Sequence, residues 1–163
     1  MPDHYDKLAT AIGHLVIAFN ELEVALGGAL MNLLKQDDNV GAAFVAHLGA
    51  ATKIRLLQEL EGKIDHESTR QEFHKLVAQA AEINSSRNGL IHSEYWPVQT
   101  TEQIKVMLHR RLRDSTRPVE FPVTIEELSK KYIRAADADE IADLANDAAQ
   151  LAIDLLQLSE NLY

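Results

Sequence analysis

Apolar residues recur at steps of three or four along the first part of the chain, which is the spacing of an amphipathic helix. A polar break at 36–39 ends the repeat. Residues 40–64 then predict one or two shorter helices interrupted near Gly49, because glycine lowers helix propensity. The first repeat predicts one long helix over about 3–35, with a buried stripe of Leu8, Ile12, Leu15, Phe19, Leu22, Leu26, Leu30 and Leu33.

A third long helix is predicted after Ser68 or Thr69, either of which can cap it, with Gln71 or Glu72 completing a capping box. Its stripe at steps of three and four consists of Phe73, Leu76, Ala80, Ile83, Arg87 and Leu90. A guanidinium stays charged in proteins, and burying it unpaired costs several kcal/mol. Either the stripe opens into a cleft at Arg87, or a partner supplies the compensating groups.

Beyond Ser93 the pattern changes to short apolar segments separated by a polar turn, which predicts a β-hairpin or extended arm over approximately 95–123. A second capping box at 124–127 predicts that the last helix begins at Thr124, and a phase slip at 135–140 predicts a kink or break in it. The fold class is therefore all-α: an up-and-down bundle of four to five helices with this arm inserted after the third long helix, in one domain spanning 1–163.

Composition restricts the class of protein. The 163 residues are 46% hydrophobic and 25% charged, which is typical of a globular domain. A net charge of -9 argues against broad nonspecific affinity for nucleic acid, and the absence of Cys excludes disulfides and thiol catalysis. The apolar segment from Leu8 to Phe19 contains His14 and is too short to span a bilayer, so we expect a cytoplasmic protein with no membrane partner.

Metal and cofactor sites are not predicted. His66 and His74 are eight residues apart, and the chain has no His-Glu-x-x-His spacing. Gly-rich phosphate loops, the Rossmann pattern and a Gly-x-Ser-x-Gly elbow are missing from the sequence. We therefore expect no metal and no cofactor.

One polar constellation stands at the end of the third long helix. Asn88 and His92 are four residues apart and share a helix face, whereas Arg87 and His92 are about 140° apart around an ideal helix. A bend at Gly89, or fraying of the last turn, would bring Arg87 and His92 to one cleft. The alternative is a histidine at a helix end and an arginine with a structural partner.

Residues 87–92, Arg-Asn-Gly-Leu-Ile-His, resemble the Arg-x4-6-His motif of HEPN domains, in which a polar residue, often Asn, follows the Arg. Residues 19–23, Phe-Asn-Glu-Leu-Glu, are similar to a pattern in some bacterial members, and the order of elements is similar as well. The resemblance implies a helical bundle, commonly dimeric, in which Arg and His from two subunits line one cleft and cut RNA without metal. Some toxin-type members place a Tyr two residues after the motif His, whereas Tyr95 here stands three residues after His92.

The chemistry of that implication is coherent. Cleaving RNA through its own 2′-hydroxyl needs a base, an acid and cations around the phosphorane, and a two-fold axis would supply two copies of His92 and Arg87. We expect Asn88 to orient His92, Ser86 to contact phosphate and Glu23 to orient Arg87, unless Glu23 is simply exposed. The leading hypothesis is a metal-independent endoribonuclease or ribonuclease-like toxin that acts on single-stranded RNA as a homodimer. The alternative is a noncatalytic dimerisation module binding RNA, a nucleotide or a protein partner such as an antitoxin.

A basic cluster surrounds the predicted arm of this otherwise acidic chain. Arg110, Arg111 and Arg113 are the candidates for binding RNA within it. The equally plausible use is a solvated edge that resists aggregation. The full cluster is Lys105, His109, Arg110, Arg111, Arg113 and Arg117.

Overall fold

The computed structural model describes residues 2–35, 38–92, 94–97, 104–107 and 133–162. Within them the chain forms a helical bundle, as the apolar repeats predict. The helices are α1 (Pro2–Leu34), α2 (Asp38–Ala46), α3 (Ala50–Leu60), α4 (Glu67–Ile91) and α5 (Ala138–Ser159). A single 3-10 turn, Glu61–Lys63, follows α3.

The core of the bundle lies along α1, whose leucines are buried at each turn. Leu15, Leu22 and Leu26 are fully inaccessible to water. Alanines let α5 approach α1 closely, because small side chains bring two helix backbones together. These alanines, all buried, are Ala18, Ala25 and Ala29 on α1 and Ala145, Ala148 and Ala152 on α5.

Successive helices alternate in direction. The Asn32 side chain donates a hydrogen bond to the carbonyl of Ser159 (3.1 Å), which joins the C-terminal ends of α1 and α5, so these two helices are parallel. In the opposite sense, α4 places Leu90 beside Ile141 at the start of α5 and Ile83 beside Leu151 further along. The C-terminal end of α4 therefore lies beside the beginning of α5.

The packing of α2 against α1 depends on Gly27, which lies within α1. A Cβ atom at Gly27 would lie 2.8 Å from Cγ1 of Val45, which is closer than van der Waals contact allows. The bare backbone of Gly27 lets α2 fold back against α1, so that α3 can then pack between α1 and α4.

Three short strands connect α4 to α5. They are β1 (Glu94–Pro97), β2 (Ile104–Met107) and β3 (Ile133–Ala136), and they form an antiparallel sheet in the order β1, β2, β3. Tyr95 pairs with Val106, which in turn pairs with Arg134. Residues 98–103 and 108–132 of this connection lie outside the described residues, so the arm predicted over 95–123 stays a prediction.

The final helix begins at Ala138, within the region of the phase slip, because Ile133–Ala136 is extended. The helix start predicted at Thr124 lies outside the described residues and stays a prediction. The cap of α5 is Asp137, whose carboxylate accepts the backbone N–H of Asp139 (2.9 Å). At α4 the N-cap is His66 instead of Ser68 or Thr69, and it makes no side-chain capping bond.

The segment Asp6–Leu34 of α1 is long and apolar enough to cross a membrane by length and composition, with a mean hydropathy of 1.3 in its most apolar window. The buried helix of a soluble bundle passes the same test. The length and composition of α1 therefore do not decide whether the protein contacts a membrane.

Candidate functional site

The last turn of α4 places His92 at the surface. His92 is the C-cap, with φ -97° and ψ 18°, and its backbone N–H donates to the carbonyls of Asn88 and Leu90. The side chain of His92 is exposed. Within the described residues its ring makes no hydrogen bond. An imidazole in this position can exchange protons with solvent or with a bound ligand.

Arg87 lies half-buried one turn earlier, with its guanidinium against α1. The Cζ atom is 4.8 Å from the ring centroid of Phe19, within cation–π distance. Nη1 donates a hydrogen bond to Oδ1 of Asn88 (3.0 Å). Nε is buried and has no hydrogen-bond partner among the described residues, which costs about 1–3 kcal/mol for a buried donor. The apolar stripe therefore contains a cation whose hydrogen bonding is incomplete.

The side chain of Asn88 does not orient His92 as predicted. Its Oδ1 accepts from Arg87, and its Nδ2 donates to Oδ1 of Asn84 (3.2 Å). Asn84 and Asn88 are one helical turn apart, so their side chains meet on the surface of α4. The two amides are thus engaged with Arg87, and His92 is left to other partners.

Ser86 lies beside carboxylates and not beside cations. It lines a cleft of about 280 Å³ between α4 and α5, together with Glu140, Asp143 and Asp147. A neighbouring cleft of about 310 Å³ continues along the same two helices and adds Glu82 and Asp154. A phosphate at Ser86 would meet like charge at close range, so the geometry disfavours the predicted phosphate contact there.

Glu23 pairs with Lys53 and not with Arg87. The ammonium of Lys53 is 3.2 Å from Oε1 of Glu23 and 3.4 Å from its backbone carbonyl. The side chain of Lys53 is 8% exposed and that of Glu23 is 31% exposed. The role predicted for Glu23 is therefore wrong, because an ammonium from α3 occupies its carboxylate.

Sequence reasoning missed Lys53 and Asn84 in this region, and it placed Phe19 on the buried stripe without its contact to Arg87. A signal existed for Lys53, because it lies on the buried stripe of α3 with Ala50, Ile54 and Leu57. The argument that singled out Arg87 on the stripe of α4 applies equally to this lysine. Nothing in the sequence marked Asn84, whose importance lies in its hydrogen bond to Asn88.

Arg110, Arg111 and Arg113, predicted to bind RNA, lie outside the described residues. In the part of the chain that the structure describes, no group of three or more His, Asp or Glu side chains could hold a metal ion.

A second surface feature lies between α1 and α5. It is a groove of about 430 Å³ with Ala149 and Ala152 in its lining, and with Val24, Ile153 and Leu156 exposed along it. Val24 is 71% exposed, which is unusual for a large apolar side chain in a long helix. This α1/α5 groove differs from the acidic clefts on the other side of α5.

Comparisons with known proteins give no further guide. No family model matches the chain, and neither a curated protein nor a solved structure matches it. The candidate function therefore depends on the motif and on the geometry described above.

Proposed function

We propose that this protein is a metal-independent endoribonuclease, or a ribonuclease-like toxin, that acts on single-stranded RNA. The observation that carries the proposal is an exposed His92 on the same helix as Arg87, which lies five residues earlier and whose Nε has no hydrogen-bond partner among the described residues. An exposed imidazole can move protons near neutral pH. A guanidinium whose charge is not cancelled by a carboxylate can donate hydrogen bonds to the oxygens of a phosphodiester.

The reaction would be transesterification by the RNA's own 2′-hydroxyl. His92 as base takes the proton of that hydroxyl, the oxygen attacks phosphorus, and the 5′-oxygen leaves after receiving a proton from an acid. Arg87 stabilises the added negative charge on the phosphorane. One histidine per chain supplies one of the two proton-transfer groups, so a second copy would contribute the other through its own His92.

The exposed apolar side chains of the α1/α5 groove would suit the association of two copies, although not in the arrangement that a composite site needs. Val24 lies about 140° around α1 from Phe19, the residue that faces Arg87. A dimer formed through the groove alone would leave the two His92 rings on separate faces. A composite site therefore needs contact between the C-terminal ends of the two α4 helices.

RNA would approach from the side of Asn88 and His92. The acidic clefts between α4 and α5 repel the phosphate backbone and leave that approach as the less acidic one. Arg110, Arg111 and Arg113, on the hairpin or extended arm that we propose over about 95–123, would supply cations for the strand.

A noncatalytic interaction module is the second candidate. The α1/α5 groove favours it, because an apolar groove with few charges suits a protein partner, such as an antitoxin, better than it suits RNA. In either case we propose a cytoplasmic protein without a membrane partner, a metal or a cofactor.

The test is cleavage of single-stranded RNA by the purified protein in excess EDTA. The expected first products carry 2′,3′-cyclic phosphate ends, and a 2′-deoxy substitution at the cleaved position should block the reaction. His92→Ala and Arg87→Ala should each lower the rate by at least about 100-fold while the fold is retained. His74→Ala is the matched control, because His74 is an exposed histidine of the same helix.

Wild-type protein that leaves varied RNAs intact would refute the nuclease proposal. Cleavage by His92→Ala at the wild-type rate would refute it equally. The interaction module would then be preferred, and binding to the α1/α5 groove would be the property to measure.

A further inference from the structure

We propose that Asn84 is a positioning residue for Arg87, and that it acts through Asn88 to fix the plane of the guanidinium so that Nη2 can bind a phosphate. The ligand in this statement rests on the proposed function. The hydrogen-bond relay from Asn84 to Arg87 does not, because each of its bonds lies within the described part of the chain.

Two contacts fix the orientation of the guanidinium. The ring of Phe19, 4.8 Å from Cζ, holds the guanidinium against α1. The bond from Nη1 to Asn88 at 3.0 Å fixes its rotation within the guanidinium plane. A guanidinium donates from two usable edges, and the bond to Asn88 engages one end of the Nη1/Nη2 edge. Nε is buried and has no acceptor among the described residues, so Nη2 is the donor that remains for a ligand.

The role of Asn84 follows from the symmetry of a side-chain amide. The amide of Asn88 can turn either its oxygen or its NH2 group toward Arg87, and only the oxygen can accept from Nη1. Asn84 accepts a hydrogen bond from Nδ2 of Asn88 at 3.2 Å, which stabilises the orientation with Oδ1 toward Arg87. Without that acceptor, the NH2 group of Asn88 can rotate toward the guanidinium. Two donors would then face each other, and the hydrogen bond from Nη1 would be lost.

The variants that isolate the relay are Asn84→Leu and Asn84→Asp. Leucine has a similar size but no acceptor, whereas aspartate keeps an acceptor oxygen at the same place. Gln79→Leu is the matched control, because it removes an amide from α4 in the cleft that faces α5, outside the relay. Circular dichroism and urea unfolding of the full chain would show that each variant is folded.

The first measurement is NMR of the 15N-labelled protein. Asn84→Leu should shift both the side-chain amide resonances of Asn88 and the Nε–H resonance of Arg87, whereas Asn84→Asp should leave the Arg87 resonance near its wild-type position. A 2′-O-methyl RNA oligonucleotide, which cannot be cleaved, should shift the Arg87 Nε–H resonance of the wild type. An unchanged Arg87 resonance in Asn84→Leu would overturn the positioning role of Asn84. An unchanged wild-type resonance with the oligonucleotide would instead overturn the phosphate as ligand and, with it, the proposed function.

The second measurement is the kinetics of cleavage. Asn84→Leu should lower kcat by about tenfold with little change in KM, because a misplaced group loses rate more than binding. Asn84→Asp should restore kcat to within about threefold of the wild type, and Gln79→Leu should leave it unchanged. Equal kcat in Asn84→Leu and the wild type would overturn the positioning role. Since the NMR measurement needs no turnover, it decides the proposal even if the wild type proves inert.

Discussion

Two cations lie against neighbouring turns of α1 and are held in different ways. Lys53 meets the carboxylate of Glu23 and is almost completely buried. Arg87 meets the ring of Phe19, four residues earlier on α1, and its hydrogen-bond partner is a neutral amide. Both residues lie on the apolar stripes of their own helices, so their sequence positions do not distinguish a structural cation from a functional one.

The difference lies in how each charge is balanced. The positive charge of Lys53 is neutralised by an adjacent carboxylate, so Lys53 would attract an anionic ligand only weakly. An aromatic ring and an amide stabilise the charge of Arg87 without cancelling it. A cation on a buried stripe is therefore structural when an anion meets it, and it remains available to a phosphate when only neutral groups do.

The largest effect on stability is expected for Glu23→Ala. In this variant the buried ammonium of Lys53 loses its carboxylate and keeps the backbone carbonyl of residue 23 as an acceptor. The free energy of unfolding should therefore fall by about 3 kcal/mol. Lys53→Met should cost less, because methionine fills the site without a charge and Glu23 is partly exposed to water. Urea unfolding measures both, and an equal loss in the two variants would contradict this account of the pair.

A smaller effect is expected for Arg87→Met. Methionine keeps an unbranched chain against Phe19 and removes the buried Nε that lacks a partner, so the lost cation–π contact and hydrogen bond are offset. The free energy of unfolding should stay within about 1 kcal/mol of the wild type, while RNA cleavage is lost. If urea unfolding shows a loss as large as that of Glu23→Ala, Arg87 is a structural cation like Lys53, and the comparison fails.

The smallest effect is expected for Arg55→Ala, which sets the baseline for an ion pair on the surface of α3. Nε of Arg55 is 3.9 Å from Oε1 of Glu59, and the two side chains are 68% and 62% exposed. Water competes for both groups, so the loss in urea unfolding should be no more than about 0.5 kcal/mol. A loss comparable with that of Glu23→Ala would mean that burial does not distinguish the two pairs of this helix.

The periodic parts of the fold were predictable from sequence, and the pairings across helices were not. The leucine stripe of α1 and the position of Arg87 on the stripe of α4 follow from spacing along one helix. The partner of Glu23 depends on how α3 packs against α1, which no local pattern specifies. The same holds for Asn88, where spacing predicted a contact with His92 and the half-buried guanidinium of Arg87 takes the amide instead.

The start of α5 shows the same limit for helix boundaries. Ile133–Ala136 pairs as a strand, and Asp137 provides the cap. Pairing with β2 is a long-range interaction, and long-range interactions override local propensity. The phase slip at 135–140 indicated this boundary, because it reports where the buried stripe of the last helix has to begin.

The segment between α4 and α5 starts and finishes at the same end of the bundle, since Leu90 and Ile141 line one cleft. For the folding reaction, its length therefore enters mainly as the entropy of closing a loop, which costs only about 0.6 kcal/mol for each doubling of length. The docking of α4 on α5 is correspondingly insensitive to how many residues are inserted there. The helical core should thus tolerate insertions of very different length between α4 and α5, and each would begin next to His92.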